Sequence, residues 1–161
     1  MKNTLTALTM GALLLAACGT LKENTTPQNV KSGELVAKMY IQPEVKTGSP
    51  VEMRFTVYNR SNKSLQFCKW HTPFEPPLSK YLDITHEQGS EVLYSGAMAK
   101  RIMPPPADSY ISLKAGDSLS VNVDISKIYK LDKIGKYTVR YVAEGMSGLS
   151  VKDSISFTQT R

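Results

Sequence analysis

The side chains best suited to nucleophilic, acid–base or metal chemistry are few: Cys18, Cys68, His71 and His86, with carboxylates at Asp83 and Glu87 near the second histidine. His86-Glu87 begins like the zinc-protease pattern His-Glu-x-x-His, but the closing position is Ser90. The pair also sits beside a turn, where the helical i, i+4 geometry that aims two imidazoles at one metal is missing. No cysteine or second histidine stands at ligand spacing from His71. Cys68 and His71 lie three apart at a strand end and so point to opposite faces, which removes a thiol–imidazole pair. Asp83 and Glu87 sit on an apparent strand and form no acid–base couple. Gly-x-Ser-x-Gly elbows and phosphate-binding loops are absent. The expectation is a protein with no catalytic residues, no metal and no cofactor beyond a covalent lipid on Cys18.

That lipid is read from the first eighteen residues. Lys2 supplies a short positive region, and Leu5 to Ala17 is apolar apart from Thr6, Thr9 and Gly11. The stretch is too short for a hydrocarbon core that needs about 20 apolar residues, and it matches a secretory signal. It ends in Leu15-Ala16-Ala17-Cys18, which resembles the bacterial lipobox. Small residues at 16 and 17 fit a narrow protease cleft, and a cysteine thiol takes the thioether-linked lipid. One myristoyl chain holds a protein only marginally, whereas two or three chains anchor it durably. The resemblance implies cleavage after residue 17, lipidation of Cys18, and a cell-envelope location. Gly19 after the cysteine, rather than Asp, favours the outer membrane of a Gram-negative cell.

Residues 18–161 suit one domain. The signal removes only Lys2, so the formal charge of +6 falls by one. The basic residues are scattered, with Lys100-Arg101 the one adjacent pair. They read as a solvated surface, and no nucleic-acid partner is expected of an exported chain. With Cys18 lipidated, Cys68 has no intramolecular partner. It is expected to be buried, with an intermolecular disulfide or a reactive thiol as the alternatives.

The elements that must position any site are strands. Gly19 to Ser32 is polar and aperiodic, reading as a tether over 18–32, with a folded domain over 33–161. Val51, Met53, Phe55 and Val57 alternate with polar neighbours, as do Leu119, Val121, Val123 and Ile125. Tyr137, Val139 and Tyr141 follow the same rule, and Val151, Ile155 and Phe157 more loosely. Period-two patterning marks strands with one buried face. Weaker candidates span 34–41, 64–70, 80–86, 91–94 and 109–113. A short helical turn is predicted around Ser126 to Leu131, and turn clusters include Gly145 to Gly148. Seven to nine short strands predict an all-β, antiparallel, Ig-like sandwich. Asp132, Gly135 and Tyr137 have the spacing of a tyrosine corner, and Trp70 is a candidate for the central core position.

Two proline-rich segments interrupt the strands, Trp70 to Leu78 and Met98 to Ser109. Prolines remove ladder donors, so neither is a central strand. His71, Phe74, Met98, Lys100, Arg101 and Met103 on these loops are the candidate partner-binding residues. The competing reading has the apolar ones, with Ile102, capping the open end of the sandwich.

Several runs in residues 65–142 carry a wider likeness. They include Lys69-Trp70-His71-Thr72-Pro73-Phe74-Glu75, Tyr94-Ser95-Gly96-Ala97-Met98-Ala99-Lys100-Arg101, Asp108-Ser109-Tyr110, Ala115-Gly116-Asp117-Ser118 and Gly135-Lys136-Tyr137-Thr138-Val139. In that order the chain resembles the β-sandwich region ahead of the catalytic domain in peptidyl-Lys metalloendopeptidases, the deuterolysin-like zinc proteases. On that alignment the chain ends where the zinc-binding helix would begin, so no protease residue carries over. The resemblance implies a free-standing protease-associated or protease-inhibitor-like domain. Together with the lipid on Cys18, the expectation is a non-catalytic, lipid-anchored envelope module that binds a secreted protein partner, a metalloprotease among the candidates. The alternative is a structural envelope lipoprotein that binds glycan, lipopolysaccharide or another envelope protein.

Overall fold

A computed structural model describes residues 35–161. The signal, Cys18 and the tether therefore lie outside the described residues. Nine strands follow in chain order: β1 (Leu35–Ile41), β2 (Glu44–Lys46), β3 (Glu52–Asn59), β4 (Leu65–Cys68), β5 (Leu82–His86), β6 (Tyr110–Leu113), β7 (Ser118–Asp124), β8 (Gly135–Tyr141) and β9 (Ile155–Thr160). One sheet has the order β1-β3-β7, the second β2-β9-β8-β5, and β4 and β6 form a two-stranded ribbon. All pairings are antiparallel except β2 on β9.

Alternation places the core. On β3, Met53, Phe55 and Val57 are fully buried, while Glu52 and Arg54 face solvent. Ile84 of β5, Tyr137 and Val139 of β8 and Phe157 of β9 supply the opposing face. Each large apolar side chain removed from water contributes roughly 1.5–3 kcal/mol. Phe55 touches Tyr141 at 5.5 Å and Phe74 at 6.1 Å between ring centroids, and Phe67 meets Phe74 at 5.4 Å.

These aromatics occupy the centre expected for Trp70, which corrects that expectation. Trp70 is buried, but it lies outside the main cluster and under the Arg101 guanidinium, 4.6 Å from the ring centre. The tyrosine corner is present: the Tyr137 hydroxyl donates to the Lys133 carbonyl (2.8 Å) and accepts from the Lys133 N–H (3.0 Å). Gly135, at φ +129°, is required there, because a Cβ would collide with His86 and Glu87.

Local differences from the sequence reading have local causes. The turn expected over Ser126 to Leu131 is a single 3₁₀ turn at Ile125–Lys127, begun by the Asp124 carboxylate accepting from Ser126 N–H. The cluster read as a turn at Gly145 to Gly148 closes one α-helical turn, α1 (Glu144–Ser147), ended by Gly148 in the left-handed region. Residues 91–94 make isolated bridges to Thr85 and Tyr129 instead of a strand.

Candidate functional site

The two proline-rich loops lie beside one another, and their contacts begin at the backbone. After β4, Lys69 N–H donates to the Ser109 carbonyl (2.8 Å), joining the start of one loop to the end of the other. Thr72 Oγ1 donates to the Lys69 carbonyl (2.6 Å) and accepts from Phe74 N–H (3.1 Å), turning the chain sharply. His71 takes up φ +58°, and its carbonyl accepts from the Tyr141 hydroxyl (3.0 Å). Ala99 N–H donates to the Leu78 carbonyl, and the Tyr94 hydroxyl lies within reach of the Ala97 carbonyl.

Glu75 ties this arrangement together. Its side chain is 5% exposed. Oε1 accepts from His71 N–H (2.8 Å) and from the Ser79 hydroxyl (3.3 Å), and Oε2 accepts from Arg101 Nη2 (2.7 Å). Arg101 in turn stacks on Trp70. An indole–guanidinium–carboxylate stack thus clasps the loops, with a charge-assisted bond at its centre.

The candidate binding residues divide into two groups on this clasp. Phe74 packs on Phe55 and Phe67, and Arg101 is spent on Glu75 and Trp70, so both position the loops from within. His71 is half-buried and contributes its backbone. Met98, Lys100 and Met103 face solvent, together with Ile102, which is 84% exposed. Leu93 is a further exposed apolar residue, at 69%, that the loop composition does not point to. The sequence signal is the apolar run Val92-Leu93-Tyr94, since extended neighbours face opposite ways and only one face can be buried. Prolines 104–106 follow Met103, and the Met103–Pro104 bond is cis.

The groups considered for chemistry have structural surroundings. Cys68 is free and 2% exposed, and burial pushes its thiol up, away from the reactive thiolate. His86 is buried, with Nε2 3.1 Å from the Ile134 carbonyl and its ring edge-on to Tyr137. Asp83 pairs with Lys80 (2.8 Å) and Arg140 (3.0 Å) on the outer face of the second sheet, and chiefly Lys80 holds its carboxyl below the usual range. Among the described residues no three His, Cys, Asp or Glu side chains converge as a metal site, and no helix is long and apolar enough to cross a membrane.

Comparison with known proteins agrees with the fold. An extracellular protease of Aeromonas hydrophila is 34% identical over 94 residues, which is 57% of this chain and 26% of that protein. A probable neutral protease 2 homolog of Arthroderma benhamiae is 26% identical over 145 residues, covering 89% of this chain and 38% of its own length. An uncharacterized secreted protein of the same fungus is 26% identical over 99 residues, 58% of this chain and 50% of its own. The chain spans no more than half the length of these relatives. It resembles the non-catalytic region of the proteases, and these 161 residues include no catalytic domain. An immunoglobulin-like domain family matches residues 38–147, well over half of the chain, and the protein belongs to that family.

Proposed function

We propose that the protein is a non-catalytic binding module, anchored to a bacterial envelope membrane through lipid on Cys18, whose partner is a secreted protease. The observation that carries this reading is the exposed apolar set Met98, Ile102 and Met103 on a loop that Glu75, Arg101 and Trp70 hold in place. A loop already ordered loses less entropy when a partner covers it. Methionine adapts to irregular surfaces, which suits a contact of this composition. The likeness to protease regions supports the choice of partner class.

Binding of a secreted metalloprotease to the lipid-free protein (residues 19–161) is expected by titration calorimetry, with altered proteolysis in the complex. Met98→Asp with Met103→Asp is expected to weaken that binding at least tenfold while leaving the melting temperature unchanged, because both side chains are solvent-exposed. No complex and unchanged proteolysis across a range of concentrations would remove the protease reading.

The anchor is tested separately. Cells fed an alkyne fatty acid are expected to label the wild-type chain, with Cys18→Ser abolishing both the label and sedimentation with membranes. Equal labelling of the variant would remove the lipidation.

A further inference from the structure

The strand edges of the domain are unequal. On β1 the outer edge is met by Ser150, which accepts from Ala37 N–H and donates to the Leu35 carbonyl. On β5 the Tyr129 hydroxyl serves both Leu82 groups, Val92 N–H donates to Ile84, and His86 N–H donates to Ser90. β2, β4 and β6 have only three or four residues. β7 differs. It is seven residues long, pairs only with β3 among the described residues, and reads Ser-Leu-Ser-Val-Asn-Val-Asp. It contains no lysine, arginine or proline, the devices that usually blunt a free edge.

The unpaired groups can be assigned from the flanking bonds. Asn59 N–H donates to Asp117 at one end of the β3–β7 ladder, and Ile125 N–H donates to Val51 at the other. The intervening register is one-to-one without a bulge. Alternation then turns the backbone groups of Leu119, Val121 and Val123 toward β3 and those of Ser118, Ser120, Asn122 and Asp124 outward. The side chains report the same open flank. Met53, Phe55 and Val57 of β3 are fully buried, whereas their partners Val123, Val121 and Leu119 remain half-exposed.

We propose that β7 is a self-association edge, pairing antiparallel with β7 of a second copy across a two-fold axis at Val121. The strand is nearly palindromic about that residue. Val121 meets the partner subunit's Val121, Leu119 meets the partner's Val123, and Ser120 meets the partner's Asn122. Ser118 meets the partner's Asp124, so no like charges oppose. The outward backbone groups of Ser120 and Asn122 fall opposite one another as a hydrogen-bonding pair, and the half-exposed Leu119, Val121 and Val123 close the core's flank with their counterparts. Two three-stranded sheets become one six-stranded sheet with an isologous seam.

The register makes a specific test possible in the full-length chain expressed in its envelope. At Val121 the opposed Cα atoms would lie about 4.5 Å apart, within disulfide reach. Val121→Cys is expected to give several-fold more disulfide-linked dimer under mild oxidation than Arg140→Cys on the other sheet. Ser120→Cys and Asn122→Cys are expected to crosslink when co-expressed and only weakly when expressed singly. Asn122→Pro, which removes an outward donor, is expected to raise the dimer dissociation constant at least tenfold in sedimentation equilibrium. A cysteine at 121 that crosslinks no better than one at 140, or a wild-type chain that sediments as a monomer at every concentration, would overturn the proposal. The cysteine pair decides the matter even where the proline variant fails to fold.

Discussion

Glu75→Ala is expected to lower unfolding stability by about 3 kcal/mol, because it leaves a largely buried guanidinium without its partner. The loss has more than one source. Arg101 Nη2 loses a 2.7 Å bond, and its Nε is already buried with no partner among the described residues. His71 N–H loses its acceptor at the residue held at φ +58°. Urea titration measures the change directly, and for a domain of this size the melting temperature should fall by about 10 °C. Glu75→Gln keeps an acceptor for His71 N–H while discharging the pair, so it should cost less than the alanine. A loss below about 1 kcal/mol for Glu75→Ala would mean that the pair behaves as a solvated surface bridge.

Tyr129→Phe is expected to cost about 2 kcal/mol through the backbone of a different residue. The Tyr129 hydroxyl accepts from Leu82 N–H (3.0 Å) and lies 3.2 Å from the Leu82 carbonyl as donor, with both residues fully buried. Removing the hydroxyl leaves two backbone groups at the edge of β5 unsatisfied while barely changing the packing. The same residue gives an alkaline signature. Burial pushes the Tyr129 phenol up to about 12, while an unfolded tyrosine ionises near 10. The unfolded chain therefore sheds its proton first, so stability is full below pH 10 and declines as the pH rises toward 12. Tyr81 and Tyr141 are displaced in the same direction by burial, so the wild type should still lose stability there. The variant should lose less over that interval, and parallel urea midpoints for the two proteins between pH 9 and 11.5 would refute the assignment.

How much of this was legible in the amino-acid order depended on the range of the interaction. The tyrosine corner is written within six consecutive residues, and its two hydrogen bonds lie where Asp132, Gly135 and Tyr137 implied. β3 and β8 announce themselves by alternation because each has one face against the core. β2 does not, since Glu44-Val45-Lys46 has no apolar periodicity and is a strand only because β9 runs beside it. Residue type alone points Trp70 to the centre, but that place is filled by phenylalanines from three separate segments. The clasp was illegible for a related reason. Glu75 and Arg101 stand 26 residues apart, and Lys100-Arg101 reads as one basic pair although only Lys100 faces solvent. The loops themselves were legible from their prolines, as were three of their exposed side chains, Met98, Lys100 and Met103.

The short parallel pairing of β2 with β9 has a consequence for how the chain acquires its structure. β2 ends at Lys46, and the strand it needs begins only at Ile155. Ser150, from the same late stretch, closes the outer edge of β1. The earliest described strands therefore wait for Ser150 and for Ile155–Thr160, and no shorter portion of the chain that lacks these residues can complete those ladders. Such non-local closure belongs to the slow end of single-domain folding, in milliseconds to seconds. Over that interval the outer edge of β1 stays open, and these ladders close only once Ser150 and β9 are in place.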